Sequence, residues 1–218
     1  MTPLFLTQLL ALSGLGFAAI ALALRWRGTQ QRPFPRDLSP VKGSPWTGIV
    51  YAFTLGMAPW AKESTRRHML SYLRGVAFHI GIFAGLAALV LSPWWARLPE
   101  TVQWLLALVT GFGAIFGALG EIARWAERNL RLLSTPDDHF AVILVSLFLA
   151  MTSLALLSPA WLPWMYLTGA VMLIYVPLGK IRHCIYFFFS RRFFGLFIGR
   201  RAVIHHPSPA PAPAIREG

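Results

Sequence analysis

Five long apolar runs dominate this chain and leave it few soluble ways to fold. Met1 to Leu24 carries no charge, which is enough helix to cross about 30 Å of hydrocarbon. Similar stretches run from about Met69 to Leu91, Thr101 to Gly120, His139 to Leu157 and Trp161 to Gly179. Only 13% of the 218 residues are charged, against roughly a quarter in a soluble domain. The expected fold is all-α: a polytopic membrane protein with five transmembrane helices in a bundle. The first run is followed directly by Arg25-Trp26-Arg27 and preceded by no basic residue. That polarity is opposite to a cleaved signal peptide, so a retained signal-anchor is expected.

Charge fixes the expected threading. With five spans in order, segments 25–68, 121–138 and 180–218 hold eight, three and seven Lys/Arg, and the two opposite loops hold only Arg97. The positive-inside bias then puts the N-terminus outside and the C-terminus in the cytoplasm, in a multi-pass protein of a bacterial-type inner membrane. The net charge of +12 is therefore read as topology rather than nucleic-acid binding. Ser92-Pro93-Trp94-Trp95, Trp104, Trp161 and Trp164 fall at the outer headgroup level, where tryptophan is favoured.

Residues 1–200 read as one five-span domain with two segments lying on the inner leaflet. Segment 46–60 is apolar and aromatic but too short to cross. Segment 185–199 interleaves arginine with phenylalanine, as interfacial helices do. Residues 201–218 end in alternating Pro, Ser and Ala and are expected to be a disordered tail. A single cysteine, Cys184, excludes an internal disulfide and any multi-cysteine cluster motif. It is expected to pack as a small apolar residue.

Ionisable groups inside a membrane span are costly and are usually functional. His68 and His79 stand eleven residues apart, on one face and about 16 Å apart along a helix axis. That spacing suits two stacked cofactors rather than one compact metal cluster. His183 closes span five, which runs opposite to span two, and its depth is expected to match that of His68. Haem b needs axial ligands from facing helices, so His68 and His183 are expected to clamp one iron near the cytoplasmic side.

His79 then needs a partner higher in the bundle. Met165 and Met172 lie eighteen and eleven residues before His183; each offers a thioether, and each also reads as ordinary packing. His139 is a further candidate ligand, or a boundary residue beside a cap. Arg74 lies between the two histidine levels and is a candidate partner for a haem propionate, unless it snorkels to the surface. Glu121 and Glu127 read as caps or surface pairs, with proton exchange as the alternative. His205 and His206 carry no metal role in this reading.

Five spans, the histidine pair of span two and the Pro-Leu-Gly-Lys-Ile-Arg-His end of span five (Pro177 to His183) resemble the gamma, cytochrome b, subunit of respiratory nitrate reductases. The similarity is closer to the membrane subunits of sulfite-reductase-linked and heterodisulfide-reductase-like transmembrane complexes. It implies one or two b haems, two being favoured, with His68 and His183 on the inner iron and His79 on the outer one. The family's second outer histidine is replaced here by Met165. The resemblance further implies quinone or quinol exchange and a cytoplasmic iron–sulfur partner subunit, making the chain an electron-transfer subunit of an oxidoreductase complex. The alternatives are a haem-free membrane anchor for such a complex and, from another class, a small transporter.

Overall fold

The computed structural model describes residues 2–33 and 37–204, apart from the side chain of Ser64. Most of the tail expected at 201–218, and with it His205 and His206, lies outside the described residues. The chain is helical, with no strand among the described residues. Its α-helices are α1 (Pro3–Gln30), α2 (Pro45–Phe53), α3 (Glu63–Arg67), α4 (Met69–Leu91), α5 (Glu100–Ala126), α6 (Arg128–Leu133), α7 (Pro136–Leu157), α8 (Leu162–Tyr175) and α9 (His183–Arg200). Short 3-10 turns fill several of the connections. Two compact units result: Met1–Gln31 with His68–His183, and Arg32–Arg67 with Cys184–Gly218.

Four helices of the first unit (α1, α4 with its 3-10 extension, α5 and α7) are long and apolar enough to cross a membrane. Helices suit that solvent because they satisfy every backbone group internally. A fifth span is reached only by joining Pro159–Tyr175 to Lys180–Arg200 across a break. The run expected over 161–179 is helical through α8 and ends in a turn at 176–179, with the helices on either side bent by 68°. At 14 residues, α8 is about 21 Å long, and its termination has a plain cause. Pro177 has no N–H to continue the ladder, and the Leu178 and Gly179 amides both turn back onto the Tyr175 carbonyl, at 3.0 and 2.8 Å.

In this unit α4 packs on α5, α5 on α7, α7 on α8 and α8 on α1. Helix α7 supplies the middle of the core, with Phe148, Leu149 and Thr152 fully buried. Large apolar side chains such as Ile20, Phe83, Leu108 and Ile143 stay exposed along the outer faces, as lipid-facing positions would. Lipid gives apolar side chains little drive to associate, so close backbone approach does the packing. A Cβ added at Gly81 would stand 2.6 Å from Gly113 Cα. One added at Gly117 would stand 2.1 Å from Ser146 Oγ and 2.6 Å from the Phe78 ring.

The second unit is built from α2 and α9, which cross backbone to backbone at Gly48, Gly195 and Gly199. The Phe53 ring lies 6.1 and 6.3 Å from those of Phe187 and Phe188. Lys42 and Gly43 donate their amides to the Arg200 carbonyl at 2.8 and 3.1 Å, capping the end of α9. Asp37 holds Arg201 through two contacts of 2.8 and 3.1 Å. Its carboxyl is held down to about 2, first by the Ser39 hydroxyl and amide and then, against some desolvation, by Arg201. Cys184 is exposed rather than packed.

Two predictions follow from this packing. Gly113→Leu should cost about 1–3 kcal/mol of stability through overpacking, while Gly16→Leu, with open space around it, should leave the melting temperature in detergent unchanged. Equal melting of both variants would contradict the crossing. In the second unit, a carboxyl depressed by folding stabilises above the ordinary carboxylate range and loses that effect as pH falls through about 2. Exchange protection of the Lys42 and Gly43 amides should therefore persist at pH 4 and decline near pH 2, whereas Asp37→Asn should lower it already at pH 7.

Candidate functional site

The break after Tyr175 sets the position of the site. The Tyr175 ring lies over Gly179, where an added Cβ would stand 2.0 Å from Cζ, so only glycine lets the chain pass. The Tyr175 hydroxyl donates to the Asp137 carboxylate, and Lys180 pairs with Asp138. Asp138, 4% exposed, also accepts the Thr135 amide and hydroxyl at 2.9 and 2.8 Å. The break is thus pinned to the first turn of α7. Lys180–Arg182 then form a 3-10 turn that delivers His183.

There His183 meets His79, with ring centroids 6.4 Å apart and planes at 77°. His79 Nδ1 bonds the Gly75 carbonyl at 2.7 Å and His183 Nδ1 bonds the Lys180 carbonyl at 2.8 Å. Both rings are exposed. Each Nδ1–H is directed to a backbone carbonyl of its own helix or turn, so Nε2 is the ring nitrogen with the free lone pair. This is the backbone bond that metal-ligating histidines commonly make with their other nitrogen. Metal–imidazole bonds are about 2.0 Å long and a ring centre lies about 1 Å behind its nitrogen, so imidazoles on opposite faces of one metal stand about 6 Å apart. The observed separation matches that spacing, and it is also that of an ordinary edge-to-face ring pair.

No group of three or more His, Cys, Asp or Glu is placed to hold a metal ion among the described residues. Two imidazoles are fewer than the three or four protein ligands that a bare zinc ion takes.

The other expected site residues fall elsewhere. His68 is the N-cap of α4, about 16 Å along the helix from His79, and no ring contact joins it to His183 among the described residues. His183 was expected to face His68; the ring contact found in the structure is with His79. Met165 is fully buried, and its neighbour Tyr166 donates to Ser92 Oγ at 2.8 Å. Ser92 follows His79 by thirteen positions, about 20 Å of helix, so Met165 is not brought to His79. Met172 packs in the core. Arg74 lies beside α5, with its Nε 3.7 Å from where a Cβ on Gly120 would stand. Phe78, one turn later, meets Gly117 on that same side.

A second polar group lies between α5 and α7. Glu121 Oε1 accepts Trp125 Nε1–H at 2.7 Å and pairs with His139 Nδ1 at 2.5 Å. The Trp125 and His139 rings lie 4.9 Å apart. His139, a candidate ligand or boundary residue in the sequence, has its Nδ1 engaged by Glu121 in the structure. Facing ionisable residues at the joined ends of consecutive spans were the sequence signal for this pair. Protein-family models, curated proteins and solved structures offer no match to this chain.

Gly179→Val should force the Tyr175 ring off the break and lower the melting temperature by an amount corresponding to about 1–3 kcal/mol. Unchanged melting, with the Tyr175–Asp137 bond intact in a structure of the variant, would contradict this account of the turn.

Proposed function

We propose that this chain is a b-type haem subunit of a membrane oxidoreductase complex. In this reading it passes electrons between a quinone pool and an iron–sulfur partner on the cytoplasmic side of a bacterial-type inner membrane. The observation that carries the reading is the facing of His79 and His183, each with its Nδ1 spent on a backbone carbonyl. Nε2 of each ring would hold the iron, and the Gly75 and Lys180 carbonyls would fix tautomer and ring orientation. When bound, the haem supplies a one-electron carrier within the apolar bundle.

The geometry favours one haem, at His79 and His183, over the stacked pair that the histidine spacing suggests. Eighteen of the twenty Lys and Arg fall on the side read as cytoplasmic, which supports an outward N-terminus and an inward C-terminus. The second unit displays exposed Trp46, Trp60, Phe193 and Phe197 beside Arg191 and Arg192, a composition suited to the inner membrane surface and to an acidic partner.

Reduced-minus-oxidised spectra with haem quantified per polypeptide test this directly. One b-type haem is expected, lost in His79→Ala and in His183→Ala and kept in His68→Ala. Loss in His68→Ala with retention in His79→Ala would overturn the assigned pair. No haem in fully folded protein would leave the membrane-anchor reading in its place.

A further inference from the structure

Glu121 is 9% exposed, and its two oxygens are used unequally. Oε1 takes both donors, Trp125 and His139, while Oε2 is buried with no partner among the described residues. Ser146 Oγ is also buried without one, and it faces Gly117, one turn before Glu121. Two orphaned polar atoms on one helix seam are unusual, since buried polar groups are nearly always bonded. With no donor at Oε2, the buried carboxylate lacks part of the hydrogen bonding that its charge calls for.

The seam also reaches the histidine site. The Phe78 ring packs at Gly117 and lies 6.2 Å from the His79 ring. In a low-dielectric bundle an added electron raises the proton affinity of nearby acids. Charges roughly 12 Å apart, at an effective dielectric of about 20, alter each other's affinities about tenfold.

We propose that Glu121 and His139 form a proton-exchange site. The pair takes up a proton from water when an electron enters at His79 and His183, up to about half a proton per electron for a tenfold change in affinity, and returns it on reoxidation. The proton enters at His139 Nε2, His139 Nδ1–H passes its own proton to Glu121, and the carboxyl ends neutral. Coupling to the electron rests on the haem reading proposed above, whereas proton binding at the pair does not. Other charged groups around the pair are Arg124, bonded to Ser134, Arg131, bonded to the Trp125 carbonyl, and Arg128 of α6. Arg74 lies beside Gly120, and Asp137 and Asp138 are engaged with Tyr175 and Lys180.

Infrared difference spectra of full-length protein with ¹³C-labelled glutamate provide the test, with the proton as the probe. A carboxyl band should appear on reduction in wild type, vanish in Glu121→Gln and weaken in His139→Asn. It should survive in Glu100→Gln, which breaks the same kind of Glu–Trp bond (Trp104 to Glu100, 3.2 Å) at the other end of α5. The midpoint potential should fall with rising pH by up to about 59 mV, the equivalent of a tenfold affinity change for one electron, and be flat in Glu121→Gln. A band unaffected by Glu121→Gln, or an unchanged potential profile in that variant, would overturn the proposal. If the protein proves haem-free, acidification alone reads the site: a titrating band lost in Glu121→Gln sustains proton binding, and its absence ends it.

Discussion

The unwinding of the chain after Tyr175 decides where His183 stands, and the site follows from it. A proline without an amide, a glycine under a tyrosine ring and two aspartates at the start of α7 act together. They convert the end of a helix into a turn that returns a histidine to the middle of α4. Breaks of this kind are tolerated at membrane depth only where their backbone groups find partners. Here the Leu178 and Gly179 amides share the Tyr175 carbonyl, and the side chains on either side are tied to α7.

Much of the fold was legible from apolar length alone. Four expected spans coincide with helices long enough to cross, because about 20 uncharged residues in lipid have little choice but helix. Of the segments read as 46–60 and 185–199, the first holds α2 followed by two 3-10 turns, and the second lies within α9. The fifth span was not legible as a turn. Pro177 and Gly179 stand inside an apolar run, and such residues can kink a membrane helix as readily as end it. The contact that settles the matter, Tyr175 on Asp137, joins positions on different helices and leaves no local trace.

The same break bears on the site. His79 and His183 were both candidates from their apolar surroundings; counting depth along an unbroken helix paired His183 with His68, and the ring contact that the structure shows is with His79. Met165 illustrates the consequence. Eighteen residues before His183, it would share that histidine's face on a continuous helix; across the break it belongs to the core near Ser92. Glu121 and His139 gave a weaker signal, since ionisable residues at span ends usually meet water, and only burial between α5 and α7 distinguishes them.

The central claim is that the imidazoles at positions 79 and 183 grip a single haem. A cryo-electron microscopy map of the purified protein in mild detergent tests it most directly. The account predicts one planar macrocycle between those two rings and none at His68. Rings in direct contact with nothing between them, or a macrocycle held by His68, would contradict it.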